Sequence, residues 1–326
     1  MVKGDYQDRA RGMLVGLAVG DALGAPYEFG YTSELIKERG DEIAHLHNSM
    51  ILPTGAWTDD TSMALCLADS LLEKDGYDSY DIMDKFRKWV VFGYRSFDEK
   101  PAFDVGTQTA NAIGRFHRYP VIAKDEPKTE SAGNGAIMRL APIVIANASS
   151  LDLEHTLKMA ELSCRETHDS IMAIAVTRLF AKALYYALQR KEKREILDYC
   201  KEKVLGKGYD NLFGRALEKD GEILKNLGGY IVDAFTIALW GFLHSNTFRD
   251  GMIEVIQLGG DTDTNAACYG QLAGAYYGYK AIPKEWRDNI QAGDELVELA
   301  DKLFGMKKCP VLKTRFEDDD HFVAPN

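Results

Sequence analysis

The chain has 326 residues, 46% of them hydrophobic and 27% charged, with a formal net charge of −11. That composition describes a globular protein with enough chain for a substantial core, and excludes a disordered or fibrous one. The acidic balance argues against a broad phosphate-backbone interface, which needs a basic surface, while leaving room for a pocket that takes one phosphorylated ligand.

In chain order, the first feature is an apolar run from Met13 to Gly20 that could pass for part of a signal peptide. Asp5 and Asp8 stand where a positive segment would be, and Asp21 interrupts the run, so it is not read as one. Gly12, Gly16, Gly20 and Gly24 recur there at every fourth position. Apolar residues at helical spacing then predict helices over 61–73, 79–94, 154–162, 169–189 and 230–243. Ile253 to Leu258 is the best strand candidate and equally a helix. A second small-residue stripe follows: Ala266, Gly270, Gly274 and Gly278. Glycine costs a helix about 1 kcal/mol per residue relative to alanine. The stripes therefore predict either close backbone approach between two central helices or ordinary small-residue packing, and both readings put them inside.

Breaks fall at Pro53-Thr54-Gly55, around Lys124 to Gly135, at Gly206 to Gly214 and at Gly228-Gly229. None is long or polar enough for an interdomain linker. The expectation is one all-α domain over residues 1–310 and an acidic tail over 311–326, with Glu317 to Asp320 as a solvated run. No stretch approaches 18 uncharged apolar residues, so no transmembrane helix is expected. The five cysteines (66, 164, 200, 268 and 309) form no C-x-x-C pair. They read as reduced thiols in a cytoplasmic chain.

Two acidic clusters carry the chemistry: "WTDDTSMAL" at 57–65 and "GGDTDTNAA" at 259–267. Alone, each resembles a helix N-terminal cap, where Thr and Asp oxygens accept from free backbone amides and acids suit the positive helix end. Capping explains one Asp per cluster more easily than two. Taken together, Asp59, Asp60, Asp261, Asp263 and the adjacent threonines are hard oxygen donors suited to Mg2+, Mn2+ or Ca2+, and four carboxylates would neutralise two divalent ions. Two bridged ions form a known hydrolytic arrangement. The lack of Cys/His pairs at ligand spacing argues against zinc. A strand followed by D-x-D, as in haloacid-dehalogenase-type phosphatases, would need a doubly wound sheet after it, and the chain has too few residues left and no alternating strands.

Seven segments, in order, resemble the ADP-ribosylglycohydrolases, all-α hydrolases that remove ADP-ribose from modified proteins. They are "GLAVGDALGAPYEF" (16–29), "WTDDTSMAL", "FDVGTQT" (103–109), "GNGAIMRLAPI" (133–143), "THDS" (167–170), "GYIVDAFTIALW" (229–240) and "GGDTDTNAA". The resemblance implies a single-domain orthogonal helical bundle with a central binuclear metal cleft. It makes Thr58, Asp59 and Asp60 one ligand group and Asp261, Asp263 and Thr264 the other, holding two Mg2+ or Mn2+ ions. Glu28 matches an acid beside the scissile bond and is expected to transfer a proton. Asp104 matches a second acid near the substrate, with helix capping as its alternative role.

In "GNGAIMR", Gly133 and Gly135 would let backbone N–H groups approach a diphosphate and Asn134 would add a side-chain donor, whereas a G-x-G taken alone is a plain turn. His168 is implied to line the ligand pocket, against the alternative of an interior histidine. Tyr230 matches an aromatic near the substrate, against core packing. Residues 190–228 match no motif of the family, although this region adjoins the cleft there and helps to set substrate choice.

The implied reaction is hydrolysis of the bond between C1″ of ADP-ribose and a protein side chain. Arginine is favoured, because "GDALGAPYEF" with "FDVG" looks closest to the arginine-directed branch. Serine-linked and small-molecule conjugates are the alternatives, and a non-catalytic ADP-ribose binder like the crystallin relatives is the alternative of another class. The expected partners are an ADP-ribosylated protein and the ADP-ribose product, with no nucleic acid and no membrane.

Overall fold

The computed structural model describes residues 3–48, 52–120, 132–201, 207–306 and 308–316. Helices dominate. In the first half they are α1 (Lys3–Gly24), α2 (Ser33–Glu38), α3 (Asp59–Lys74), α4 (Ser79–Phe92), α5 (Thr107–Arg118), α6 (Ala141–Asn147) and α7 (Leu153–Arg165). The second half supplies α8 (Ile171–Leu188), α9 (Lys193–Lys201), α10 (Lys207–Leu217), α11 (Ile231–His244), α12 (Phe248–Ile256), α13 (Thr262–Tyr277), α14 (Lys284–Asn289) and α15 (Gly293–Gly305). Among the described residues, the one small sheet pairs β1 (Tyr77–Asp78) in parallel with β2 (Val311–Lys313). The five helices expected from apolar spacing are all present, and the fold is an all-α single domain.

Helices α1 and α13 form its axis. Gly12 lies against Gly274, Gly16 against Gly270, Gly20 against Ala266 and Gly24 against Thr262, so the two helices run antiparallel along their small-residue stripes. A Cβ at any of these glycines would lie under 3.0 Å from a backbone carbonyl of the other helix. Close approach, not loose small-residue packing, is what the stripes provide. Their last rung fixes the site: Thr262 Oγ1 donates to Gly24 O at 2.8 Å, which presses the start of α13 against the end of α1.

Local signals set the flanking helices. Asp78 caps α4 by accepting from the Tyr80 and Asp81 amides, and Ser170 caps α8 through Ala173 N. Thr247 caps α12 through Asp250 N, and this helix takes up Ile253 to Ile256, so the strand alternative for that stretch is corrected. Helix α8 is long and apolar enough to cross a membrane by composition. It carries Arg178 and Lys182 and packs as a core helix against α7, α9 and α13.

The C-terminal segment departs from a simple tail. Residues 311–313 pair with β1, and Arg315 is buried, donating to Glu166 Oε2 at 2.6 Å and to Glu166 O at 2.9 Å. Tyr77 Oη and Ser79 Oγ donate to the other oxygen of Glu166. The acidic run Glu317 to Asp320 lies outside the described residues.

Candidate active site

The two acidic turns meet. Thr58 Oγ1 lies 3.4 Å from Asp263 Oδ2 and 3.5 Å from Asp60 Oδ2, and Thr264 Oγ1 lies 3.4 Å from the same Asp60 oxygen. Neither Thr58, which precedes α3, nor Asp261, which precedes α13, caps its own helix through its side chain. Capping does not account for them. Asp263 is partly engaged locally, accepting from Thr264 N at 2.8 Å.

A residue given no role from sequence organises the cluster. Asp21, fully buried in α1, accepts from Thr58 N and Oγ1 through one oxygen and from Thr61 N and Oγ1 through the other, at 2.7–3.0 Å. It therefore caps α3 from across the bundle. The single Thr58 hydroxyl proton is committed to Asp21 at 2.8 Å, so the oxygen turns lone pairs towards Asp60 and Asp263. One carboxylate oxygen each from Asp21, Asp60 and Asp263 fall within 4.8 Å of one another, and so do those of Glu28, Asp104 and Asp263. Among the described residues, Asp60 Oδ1 and Asp261 Oδ1 are buried without a hydrogen-bond partner.

Among the described residues, no lysine or arginine forms an ion pair with these carboxylates. Burial first, and then their acidic neighbours, push Asp59, Asp60 and Asp263 well above the ordinary carboxylate range. Burial raises Asp21 to about 6 against four hydrogen bonds that lower it. Burial followed by Asp104 raises Glu28 to about 8, with a hydrogen bond to Asp263 pulling the other way. Asp104 is raised by burial and by Asp261. Close carboxylates with unfilled oxygens must hold protons or a cation. The donor set is all hard oxygen, which fits Mg2+ or Mn2+ and not a thiophilic metal.

Above this cluster lies a cleft of about 320 Å³. Glu28, Asp59, Asp104, Asp261, Asp263 and Thr264 line it, together with Gly133, Asn134, Gly135 and His168. The glycine loop holds itself differently from the sequence expectation. Gly133 N donates to Gln108 Oε1 at 2.7 Å and Asn134 N to Gly229 O at 3.1 Å, so neither amide is free. The Asn134 side-chain amide donates to Asp261 Oδ2 at 2.8 Å, tying the loop to the second acidic turn.

The glycines have another reason to be there: a Cβ at Gly135 would lie 2.8 Å from His168 Cε1, and one at Gly133 would lie 3.2 Å from Nε2. His168 is buried and depressed to about 3, by burial first and then by Arg139, so the ring is neutral. Arg139 donates to Thr167 Oγ1 at 2.8 Å, and that hydroxyl pairs with His168 Nδ1 at 2.7 Å. The Thr167 hydroxyl thereby fixes the orientation of the ring, with Nε2 turned towards the glycine loop.

Tyr230 is 44% exposed, bridged to Gly133 through the backbone, so the core-packing alternative is corrected. The segment 190–228 reaches the site at its end, where Leu227 O accepts from Asp261 N at 3.0 Å and Asn226 Oδ1 accepts from Ser33 N at 2.8 Å.

The family model described as ADP-ribosylglycohydrolase matches residues 3–310. The chain is 34% identical over 303 residues to the ADP-ribosylarginine hydrolase Tri1 of Pseudomonas putida (strain GB-1), covering 91% of this chain and 78% of that one. It is 32% identical over 293 residues to the ADP-ribosyl-[dinitrogen reductase] glycohydrolase of Rhodospirillum rubrum, covering 87% of this chain and 90% of that one. A solved ADP-ribosylglycohydrolase-related protein complex superposes with a TM-score of 0.78 at 34% identity, over 93% of this chain and 99% of its own. With the motifs, the fold and these matches in agreement over nearly the whole length, the chain belongs to the ADP-ribosylglycohydrolase family.

Proposed function

We propose that the protein is a metal-dependent hydrolase that frees ADP-ribose from arginine side chains of modified proteins. The observation that carries this reading is the meeting of two acidic turns around unfilled carboxylate oxygens, at the floor of a cleft walled by the glycine loop and His168. Thr58, Asp59 and Asp60 with Asp261, Asp263 and Thr264 would hold two divalent ions, Mg2+ or Mn2+. Asp21 would position Thr58 for them. When bound, such ions supply positive charge that orients a sugar diol and acidifies a water molecule.

The chain's own groups do the rest. The loop at Gly133 to Gly135, with the His168 ring packed beneath it, would form the wall that holds the diphosphate end by shape, since the Gly133 and Asn134 amides are engaged within the chain. Holding it fixes the anomeric carbon over the acidic floor, which turns an encounter into a unimolecular step. As water adds at C1″, the C1″–N bond breaks, and Glu28 moves the proton that the departing guanidine nitrogen takes up. Asp104 lies within reach of Glu28 and Asp263, so the acceptor end of the cleft carries acids that can share a proton. Acids that give up a proton to pair with a cation suit a guanidinium, which supports the arginine reading over a neutral serine conjugate. The five cysteines are buried and unbridged, which supports a cytoplasmic setting.

Replacing Asp261 and Asp263 together by Ala should abolish metal-dependent ADP-ribose release from an arginine-modified protein while the helical circular dichroism persists. Full activity in that double variant would end the proposal. Mass spectrometry of arginine- and serine-modified peptides after incubation separates the two acceptors, and cleavage of the serine conjugate alone would refute the arginine assignment.

A further inference from the structure

Phe29 is the residue after Glu28, and it is held at odds with its chemistry. Its φ is 44°, a left-handed backbone that bulky side chains rarely adopt, and its ring is 64% exposed. Both features are imposed from outside. Tyr27, two residues earlier, is buried edge-on against Tyr31, and the Phe29 amide donates to Gly260 O at 2.9 Å. Gly260 immediately precedes Asp261, so the turn that presents the second acidic cluster also fixes Phe29. The ring lines the cleft with Glu28 and Asp104. Gly228 flanks it without a side chain to cover it, a Cβ there standing 4.0 Å from Phe29 Cε1. Strained backbone and an uncovered ring at a cleft mouth together mark a place completed by a ligand.

The neighbouring charges decide which part of the ligand. An aromatic face beside two carboxylates suits a flat cation, and guanidinium is the side chain that both stacks on rings and pairs with carboxylates. Adenine also stacks on phenyl rings, but in ADP-ribose it lies two riboses and a diphosphate away from the scissile carbon. Phe29 is tied to the acceptor end through Glu28. Resting on the arginine reading above, we infer that Phe29 is a specificity-determining residue whose ring stacks on the guanidinium of the ADP-ribosylated arginine.

The test compares wild type, Phe29→Ala, Phe29→Asn and Phe29→Tyr on an ADP-ribosyl-arginine peptide, with free ADP-ribose as product inhibitor. Asn tolerates the left-handed backbone, so it separates loss of the ring from strain. Both ring-less variants should lose about tenfold in kcat/KM, between the exposed and the desolvated scale of one cation–π contact, with Tyr restoring it and ADP-ribose inhibition unchanged. An equal weakening of ADP-ribose inhibition would place the ring on the adenine and overturn the inference, as would unchanged kcat/KM in both variants. A wild type that cleaves only a serine conjugate would overturn the arginine reading and the stacking with it. A wild type active on arginine with indifferent variants would overturn the stacking alone.

Discussion

Glu166, at the end of α7, and Asp60, at the start of α3, are both sealed from solvent, yet their oxygens are occupied differently. Glu166 receives the Arg315 guanidinium, the Tyr77 hydroxyl and the Ser79 hydroxyl, so its charge is balanced from within the chain. Asp60 has only threonine hydroxyls near one oxygen and no partner on the other, and its neighbours are Asp21, Asp59, Asp261 and Asp263. A buried carboxylate that is internally paired has no capacity left for a ligand. One left open pays in stability unless a cation arrives. The difference separates a structural ion pair from a binding site more clearly than burial does.

Breaking the balanced centre should have the largest effect on stability. Arg315→Ala leaves Glu166 buried and unpaired, and should cost about 3–5 kcal/mol of unfolding free energy in denaturant titrations. A cost below about 1 kcal/mol would mean that residues 311–316 are not docked as described.

Filling the open centre should act in the other direction by a somewhat smaller amount. Mg2+ or Mn2+ at a hundred times its dissociation constant should stabilise the fold by about 2.7 kcal/mol, read as a rise in Tm. Asp60→Asn should remove most of that rise while leaving the effect of Arg315→Ala largely intact, because among the described residues Asp60 and Glu166 share no hydrogen-bond partner.

The contrast sharpens further through pH. Glu28 and Asp21 move from ordinary values of 4.5 and 3.8 to about 8 and about 6 on folding. The metal-free fold therefore binds more protons than the unfolded chain. Their contribution is complete below about pH 4 and is lost as pH rises through about 6 and then about 8. The Tm of metal-free protein should fall across that window, and saturating divalent metal should flatten or reverse the slope. A metal-free Tm that rises from pH 5 to 8 would contradict the uncompensated state of the cleft.

Several of these features were legible beforehand for physical reasons. Helical spacing of apolar residues located α3, α4, α7, α8 and α11, because each buries one face against the same core. The paired aspartates stood out because caps need only one acid. Asp21 was overlooked although a signal existed: an acid inside a glycine-rich apolar run must be buried, and so must be partnered. The Thr247 cap was likewise readable, and would have favoured helix over strand for Ile253 to Ile256. Arg315 gave no such signal. A lone arginine after β2, two residues before an acidic run, looks solvated until Glu166 is found opposite it.

By itself the sequence determined an all-α chain, two helices able to touch along small-residue stripes, and two oxygen-rich turns at helix starts. These follow from local spacing and residue size, which need no partner to be read. Only the tertiary structure decided that the stripes run antiparallel, that Asp21 caps α3 from another helix, and that Asn134 binds Asp261 while His168 fills the space under the glycines. Each of those joins residues 33 to 127 positions apart or sets the direction of one helix against another. Charge compensation and close packing depend on which atoms meet, and composition does not contain that information.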